Sequence, residues 1–111
     1  MLNYSINFRQ VLNAKEILIK QKNDLQYLAT HDLLTNVLNR RAFEERLGEA
    51  IATAGRQEYK FAMLMIDLDN LKRINDTLGH AYGDALIQAF SKRLIMISRL
   101  GDVIARLGGD E

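Results

Sequence analysis

The sequence predicts an α+β sandwich, in which an N-terminal helix precedes a small domain whose helices cover a central sheet containing antiparallel strands. Three observations predict it. Tyr59 to Asp67 is a near-continuous apolar run, the pattern of a central strand buried on both faces. Asp102 to Leu107 reads as a second strand and ends on Gly108-Gly109, a pair able to reverse a hairpin in two residues. Around these runs, apolar residues recur at helical spacing.

Residues 4–29 read as one polar amphipathic helix. Tyr4, Val11, Leu18 and Leu25 recur at intervals of seven, and Asn7, Ala14, Gln21 and Leu28 form the companion row. A seven-residue apolar repeat makes a coiled-coil seam, here a weak one because the companion row is mostly polar. Two readings stay open, a helix packed on its own domain and a dimerising signal helix. Thr30 or Asp32 can cap a turn, and Thr35 or Asn36 can start the next segment. A helix is expected from Asn39 to about Ala54, with Phe43, Leu47, Ala50, Ile51 and Ala54 on one stripe and Gly55 at its end. Leu71 to Leu78 is expected to be a short helix or turn closed by Gly79. Asp84 to Leu100 comes next as a long helix, with Leu86, Phe90, Leu94 and Ile97 on its inner stripe. The organisation is therefore a helix over 1–30 and a domain over 31–111.

With 111 residues the chain holds one small domain. Hydrophobic residues at 48% and charged residues at 26% are ordinary for a globular protein. A net charge of +1 gives no reason to expect nucleic acid as a partner. The absence of cysteine removes disulfides, thiolate metal sites and cysteine nucleophiles. The longest apolar run, Phe61 to Ile66, is far below the ~20 residues of a membrane span. No signal peptide is visible, so the fragment is expected in the cytoplasm, with a membrane anchor upstream still compatible.

Chemistry concentrates in two acidic constellations. Asp67-Leu68-Asp69 ends the first strand, where carboxylates cost desolvation energy unless compensated. Magnesium, which sits on one or two carboxylates plus phosphates, is a natural compensator. Alone the pattern reads first as a solvated strand end or a helix N-cap. A calcium loop counted from Asp67 fails, because Leu71, Lys72 and Leu78 stand where it needs an oxygen ligand, glycine and glutamate. The second constellation, Gly108-Gly109-Asp110-Glu111, is an acidic hairpin tip when taken alone. If Asp102–Leu107 pairs antiparallel with Tyr59–Asp67, the tip lies beside Asp67, and the two acids gathered on a metal suit phosphoryl or nucleotidyl transfer. Glycine-rich phosphate loops of the Walker and dinucleotide types are absent, as is a nucleophile elbow.

Four blocks in order resemble the GGDEF family of diguanylate cyclases from about Leu28 to Glu111. Asp32-Leu33-Leu34-Thr35-Asn36-Val37-Leu38-Asn39-Arg40-Arg41 is similar to the family's opening block. Asp67 to Asp76, Gly79-His80-Ala81-Tyr82-Gly83-Asp84, and Arg106-Leu107-Gly108-Gly109-Asp110-Glu111 match the next three. The resemblance implies a ferredoxin-like, nucleotidyl-cyclase palm-type fold that condenses two GTP into cyclic di-GMP with release of pyrophosphate, in a homodimer holding one GTP per subunit. It implies Mg2+ or Mn2+ on Asp67, the Leu68 carbonyl and Asp110. Asp110 and Glu111 become the catalytic acids. Asn75 and Asp84 read guanine, His80 lines the nucleotide pocket, and the amides of Asn70 and Leu71 hold phosphates. Arg99 and Asp102 match the family's R-x-x-D inhibitory site, where cyclic di-GMP binds as feedback inhibitor.

The departures are Asn36 and Val37 for Gly-Leu and Leu71 for Phe, and none touches a catalytic group. The chain stops inside the signature, so it is expected to be part of a longer cyclase and inactive by itself. The alternative from the same residues is an inactive GGDEF module that binds GTP or cyclic di-GMP as a receptor. A third reading gives the fragment only a coiled-coil dimerising role.

Overall fold

A computed structural model describes residues 7–111. Its four helices are, in order, α1 (Phe8–Thr30), α2 (Arg40–Gln57), α3 (Leu71–Leu78) and α4 (His80–Ile97). Each begins or ends for a local reason. The Asn7 side chain accepts from the Arg9 amide at the start of α1. Asn39 caps α2 by accepting from the Ala42 amide at 2.9 Å. Tyr4, the first member of the seven-residue row, lies outside the described residues. Val11, Leu18 and Leu25 of that row are exposed along α1.

The central sheet is not formed among the described residues, which corrects the expected α+β sandwich and its palm-type sheet. Residues 59–67 run extended without a ladder partner. The Asp102–Leu107 segment hydrogen-bonds across Leu38 instead: the Leu38 amide donates to the Ile104 carbonyl at 3.2 Å, and the Arg106 amide to the Leu38 carbonyl at 2.9 Å. The result is two isolated bridges, His31 with Leu38 antiparallel and Leu38 with Ala105 parallel. Both segments line one cavity of about 810 Å³, with Phe61 and Met63 from one and Val103 and Ala105 from the other on its walls. An apolar run reports that a segment is suited to burial; it does not report which backbone closes its hydrogen bonds. Leu64 and Met65 are accordingly 75% and 59% exposed, not sandwiched.

Three helix ends also shift, one of them the end of α4, which stops at Ile97 and not at Leu100. Gly55 does not end α2, which continues to Gln57 and stops where Glu58 takes a left-handed conformation (φ 54°). One interior glycine costs a helix only about 1 kcal/mol, so it need not terminate one. The long helix begins at His80 and not at Asp84, because Gly79 alone (φ 96°) turns the chain from α3 into α4. The small core sits between these elements, at Val37, Ala42, Leu71 and Ile87.

The segment joining α1 to α2 is tightly fastened. The Tyr27 ring stacks on His31 at 4.0 Å, and its hydroxyl donates to Asn36 Oδ1 at 3.0 Å. Asn36 has φ 60°, a region that asparagine tolerates better than most residues. Asn39 returns to α1, its Nδ2 donating to the Ala29 carbonyl at 3.0 Å. Between these, Asp32 accepts from the Thr35 amide at 3.1 Å and hydroxyl at 2.7 Å, and pairs with Arg106 Nη1 at 3.3 Å. Burial pushes the Asp32 carboxyl up, but the Thr35 bonds and the Arg106 guanidinium outweigh it and hold the group below the ordinary carboxylate range.

A depressed folded-state pKa stabilises the fold above the ordinary carboxylate value and loses that effect as pH falls through the lowered one. Asp32→Ala is expected to cost about 1–3 kcal/mol at pH 7. Asp32→Asn should flatten the loss of stability seen below about pH 4. Urea unfolding of the three proteins from pH 2.5 to 7 checks both.

Candidate active site

Asp67 ends the extended apolar segment and Asp110 sits in the turn at 108–111. They meet although the strands behind them do not pair. The Leu68 amide donates to the Asp110 carbonyl at 2.9 Å, which fastens the turn to the segment end. The turn closes on itself, the Glu111 amide donating to the Gly108 carbonyl at 2.9 Å and the Leu107 amide to the Glu111 carbonyl at 3.0 Å. Arg106 stiffens it from behind, with Nε and Nη2 donating to the Gly109 carbonyl at 3.2 and 3.0 Å.

The consequence is electrostatic. The Asp67 carboxyl, when protonated, donates to the Asp110 carboxylate, which raises the Asp67 pKa above its ordinary value, with burial and then the charges of Asp110, Glu111 and Asp69 adding in the same direction. Carboxylates brought together share a proton or a cation. Among the described residues no three acidic or imidazole side chains converge as a cage. Asp67 and Asp110 form a pair, with the backbone of Leu68 beside them. Such a set fits magnesium, which takes one or two carboxylates and leaves its other positions to water and phosphate. It does not fit a metal requiring four protein ligands.

Beyond the acids, α3 and α4 form a helical hairpin. Asn70 precedes α3 in a left-handed conformation (φ 64°) and its side chain makes no cap, so the first amides of α3 are not capped from Asn70. Asn75 is half-buried between the two helices. His80 and Asp84 are exposed in the first turns of α4. Arg99 and Asp102 occupy the turn after α4. There the Asp102 carboxylate accepts from the Arg99 amide at 2.8 Å, and no ion pair joins the two side chains among the described residues.

Two groups important to this geometry escape a reading of the sequence for chemistry. Arg106 stands there only as part of a signature, and Asp32 as a possible turn cap. The Asp32-x-x-Thr35 spacing is the available signal for the cap; nothing local signals its partner 74 residues away.

The family described as "Diguanylate cyclase, GGDEF domain" matches residues 29–111. The chain is 39% identical over 107 residues to the probable diguanylate cyclase DgcE of Escherichia coli K12, covering 95% of this chain and 10% of that protein. It is 44% identical over 94 residues to the bifunctional diguanylate cyclase/cyclic di-GMP phosphodiesterase MucR of Pseudomonas aeruginosa, covering 85% and 14%. Among solved structures it is similar to the coiled coil and GGDEF domain of DgcB from Caulobacter crescentus in complex with c-di-GMP. That likeness has a TM-score of 0.76 at 28% identity and covers 92% of this chain and 53% of the other. The chain thus spans between 10% and 14% of these two curated relatives' length. With the match extending from the end of α1 through the acidic turn, the chain belongs to the GGDEF diguanylate cyclase family.

Proposed function

We propose that the protein carrying this chain condenses two GTP molecules into cyclic di-GMP. The observation that carries the reading is the meeting of Asp67 and Asp110, fastened by the bond from the Leu68 amide to the Asp110 carbonyl. Asp67, Asp110 and the Leu68 carbonyl would hold Mg2+ or Mn2+. When bound, that ion neutralises charge on the triphosphate.

The chain's own groups supply the rest. The amides of Asn70 and Leu71, at the start of α3, face a phosphate with the positive end of the helix dipole. Asn75 and Asp84 read guanine: a carboxylate accepts from its N–H groups, and an amide both donates and accepts. His80, beside them, walls the base. Asp110 takes the proton of the 3′-hydroxyl as that oxygen bonds to the α-phosphorus of the GTP on the other subunit, and pyrophosphate leaves. Glu111 completes the acidic tip. Two such transfers close the ring, so two domains must face each other.

α1 would supply that meeting. The likeness to the DgcB fragment covers 92% of this chain, more than residues 29–111 alone, and so takes in part of α1. Its exposed Val11, Leu18 and Leu25 are free to pack on a second copy. Arg99 and Asp102 are proposed as the product's inhibitory site, the Arg99 guanidinium reading phosphate. No described helix is long and apolar enough to cross a membrane. We place the domain in the cytoplasm, with its nucleotide.

Two measurements test this. Incubation of the full-length protein with GTP and Mg2+ should yield cyclic di-GMP, with Asp110→Asn lowering turnover about 100-fold or more. GTP bound without turnover would replace the cyclase reading by a receptor one. Second, the raised Asp67 pKa means that the metal-free fold is favoured at low pH and loses that advantage as pH rises through the ordinary carboxylate value to the raised one. Magnesium at 10 mM should raise the melting temperature at pH 7 by roughly 2–8 °C in the wild type and leave Asp67→Asn unmoved.

A further inference from the structure

Gly83 is buried in the first turns of α4. A Cβ built on it would fall within the van der Waals envelope of Asn75 Oδ1, with Asn75 Cγ at 2.8 Å and Nδ2 at 3.3 Å. At the other six glycines no atom beyond the chain neighbours and the helix's own nearby backbone lies within 4 Å of such a Cβ. The Asn75 Oδ1 atom is fully enclosed, yet no donor reaches it. Buried amide oxygens are usually hydrogen-bonded, and this one has packing around it in place of a partner. Its main chain is fixed too, because the Gly79 amide donates to the Asn75 carbonyl at 2.9 Å. Asn75 is therefore anchored at its backbone by the residue that joins α3 to α4, and seated at its tip against the bare Cα of Gly83.

We propose that Gly83 is a positioning residue for guanine recognition: it withholds a Cβ so that the Asn75 amide is held in one orientation beside Asp84. The inference rests on the reading of Asn75 and Asp84 as the groups that recognise the base. The neighbouring residue in the chain, Asp84, supplies the carboxylate, so one short stretch of α4 both presents an acceptor and seats the amide that works with it. Outside the nearby backbone of α4 itself, the three nearest atoms that a Cβ would meet all belong to the end of the Asn75 side chain. A larger residue at 83 thus displaces the amide and leaves the helices in place. What it removes is discrimination between bases, since an amide turned away no longer aims its Nδ2 donor at guanine's acceptors.

The test is equilibrium binding of GTP and ATP, with Mg2+, to the full-length wild type and to Gly83→Ala, Asn75→Ala and the double variant. The wild type is expected to prefer GTP. Gly83→Ala should lower GTP affinity by roughly tenfold or more, to the level of ATP, and leave ATP affinity within about twofold. A general loss of structure would weaken both nucleotides together. Because Gly83 acts through Asn75, adding Gly83→Ala to Asn75→Ala should change neither affinity. If Gly83→Ala unfolds the protein, Asn75→Ala should restore its melting temperature by removing the atoms in conflict. An unchanged GTP preference in Gly83→Ala overturns the inference and leaves the cyclase reading standing. So does a further loss of affinity when Gly83→Ala is added to Asn75→Ala, or a failure of Asn75→Ala to rescue folding. A wild type with no preference for GTP overturns the reading of Asn75 and Asp84, and this inference with it.

Discussion

Arg106 donates in two directions at once, to the Asp32 carboxylate and to the Gly109 carbonyl. Its planar fork allows this where a lysine ammonium would have to choose. One side of the bond reaches the turn after α1, and the other reaches the loop that carries Asp110. The side chains of the pair are only 18% and 22% exposed, so the guanidinium has little water to replace a lost partner. Breaking such a pair costs more than forming it contributes, because the survivor is left poorly solvated. The acidic turn is otherwise tethered by its own short bonds and by the Leu68 amide. The meeting of Asp67 with Asp110, and with it the site, therefore depends on a contact made behind the turn.

The same dependence explains which features are legible in the residues and which are not. Helix α1 over its described residues, a helix opening at Asn39 and the α3 helix closed by Gly79 arise from local periodicity and capping chemistry, and they form where the residues lead one to expect them. The sheet does not, because the Tyr59–Asp67 run advertises apolar burial while its hydrogen-bond partner is a matter of distant geometry. Asp102–Leu107 bonds to Leu38, a choice that no local pattern encodes. The acids meet for a reason different from the one expected: the tip reaches Asp67 through one backbone bond, without strand pairing. Gly83 and Asn75 are visible as motif members, but their contact depends on the angle at which two helices cross.

The site also joins opposed physical demands. The carboxyls of Asp67 and Asp110 meet, and the charges of Glu111 and Asp69 are felt at Asp67, while apolar side chains of residues 61–66 lie partly open behind them. Repulsion among the acids and exposure of the apolar segment both work against a settled fold. Four bonds of the α1–α2 connection, centred on Asp32 and Asn39, work for it. The region is thus firm where it is joined to α1 and least satisfied where substrate charge would be received.

The passage from α3 to α4 through Gly79 alone leaves no slack between the helices that carry Asn75 and Asp84. Each residue added to a helix rotates the chain beyond it by about 100°. A single inserted residue at this joint would swing α4 and its Gly83 away from Asn75, and a deletion would swing them the other way. Most surface connections absorb length changes during evolution, whereas this one converts any change of length into a change of phase. Descendants of this sequence can exchange the side chains on these helices, but the joint itself is closed to them as a place to grow.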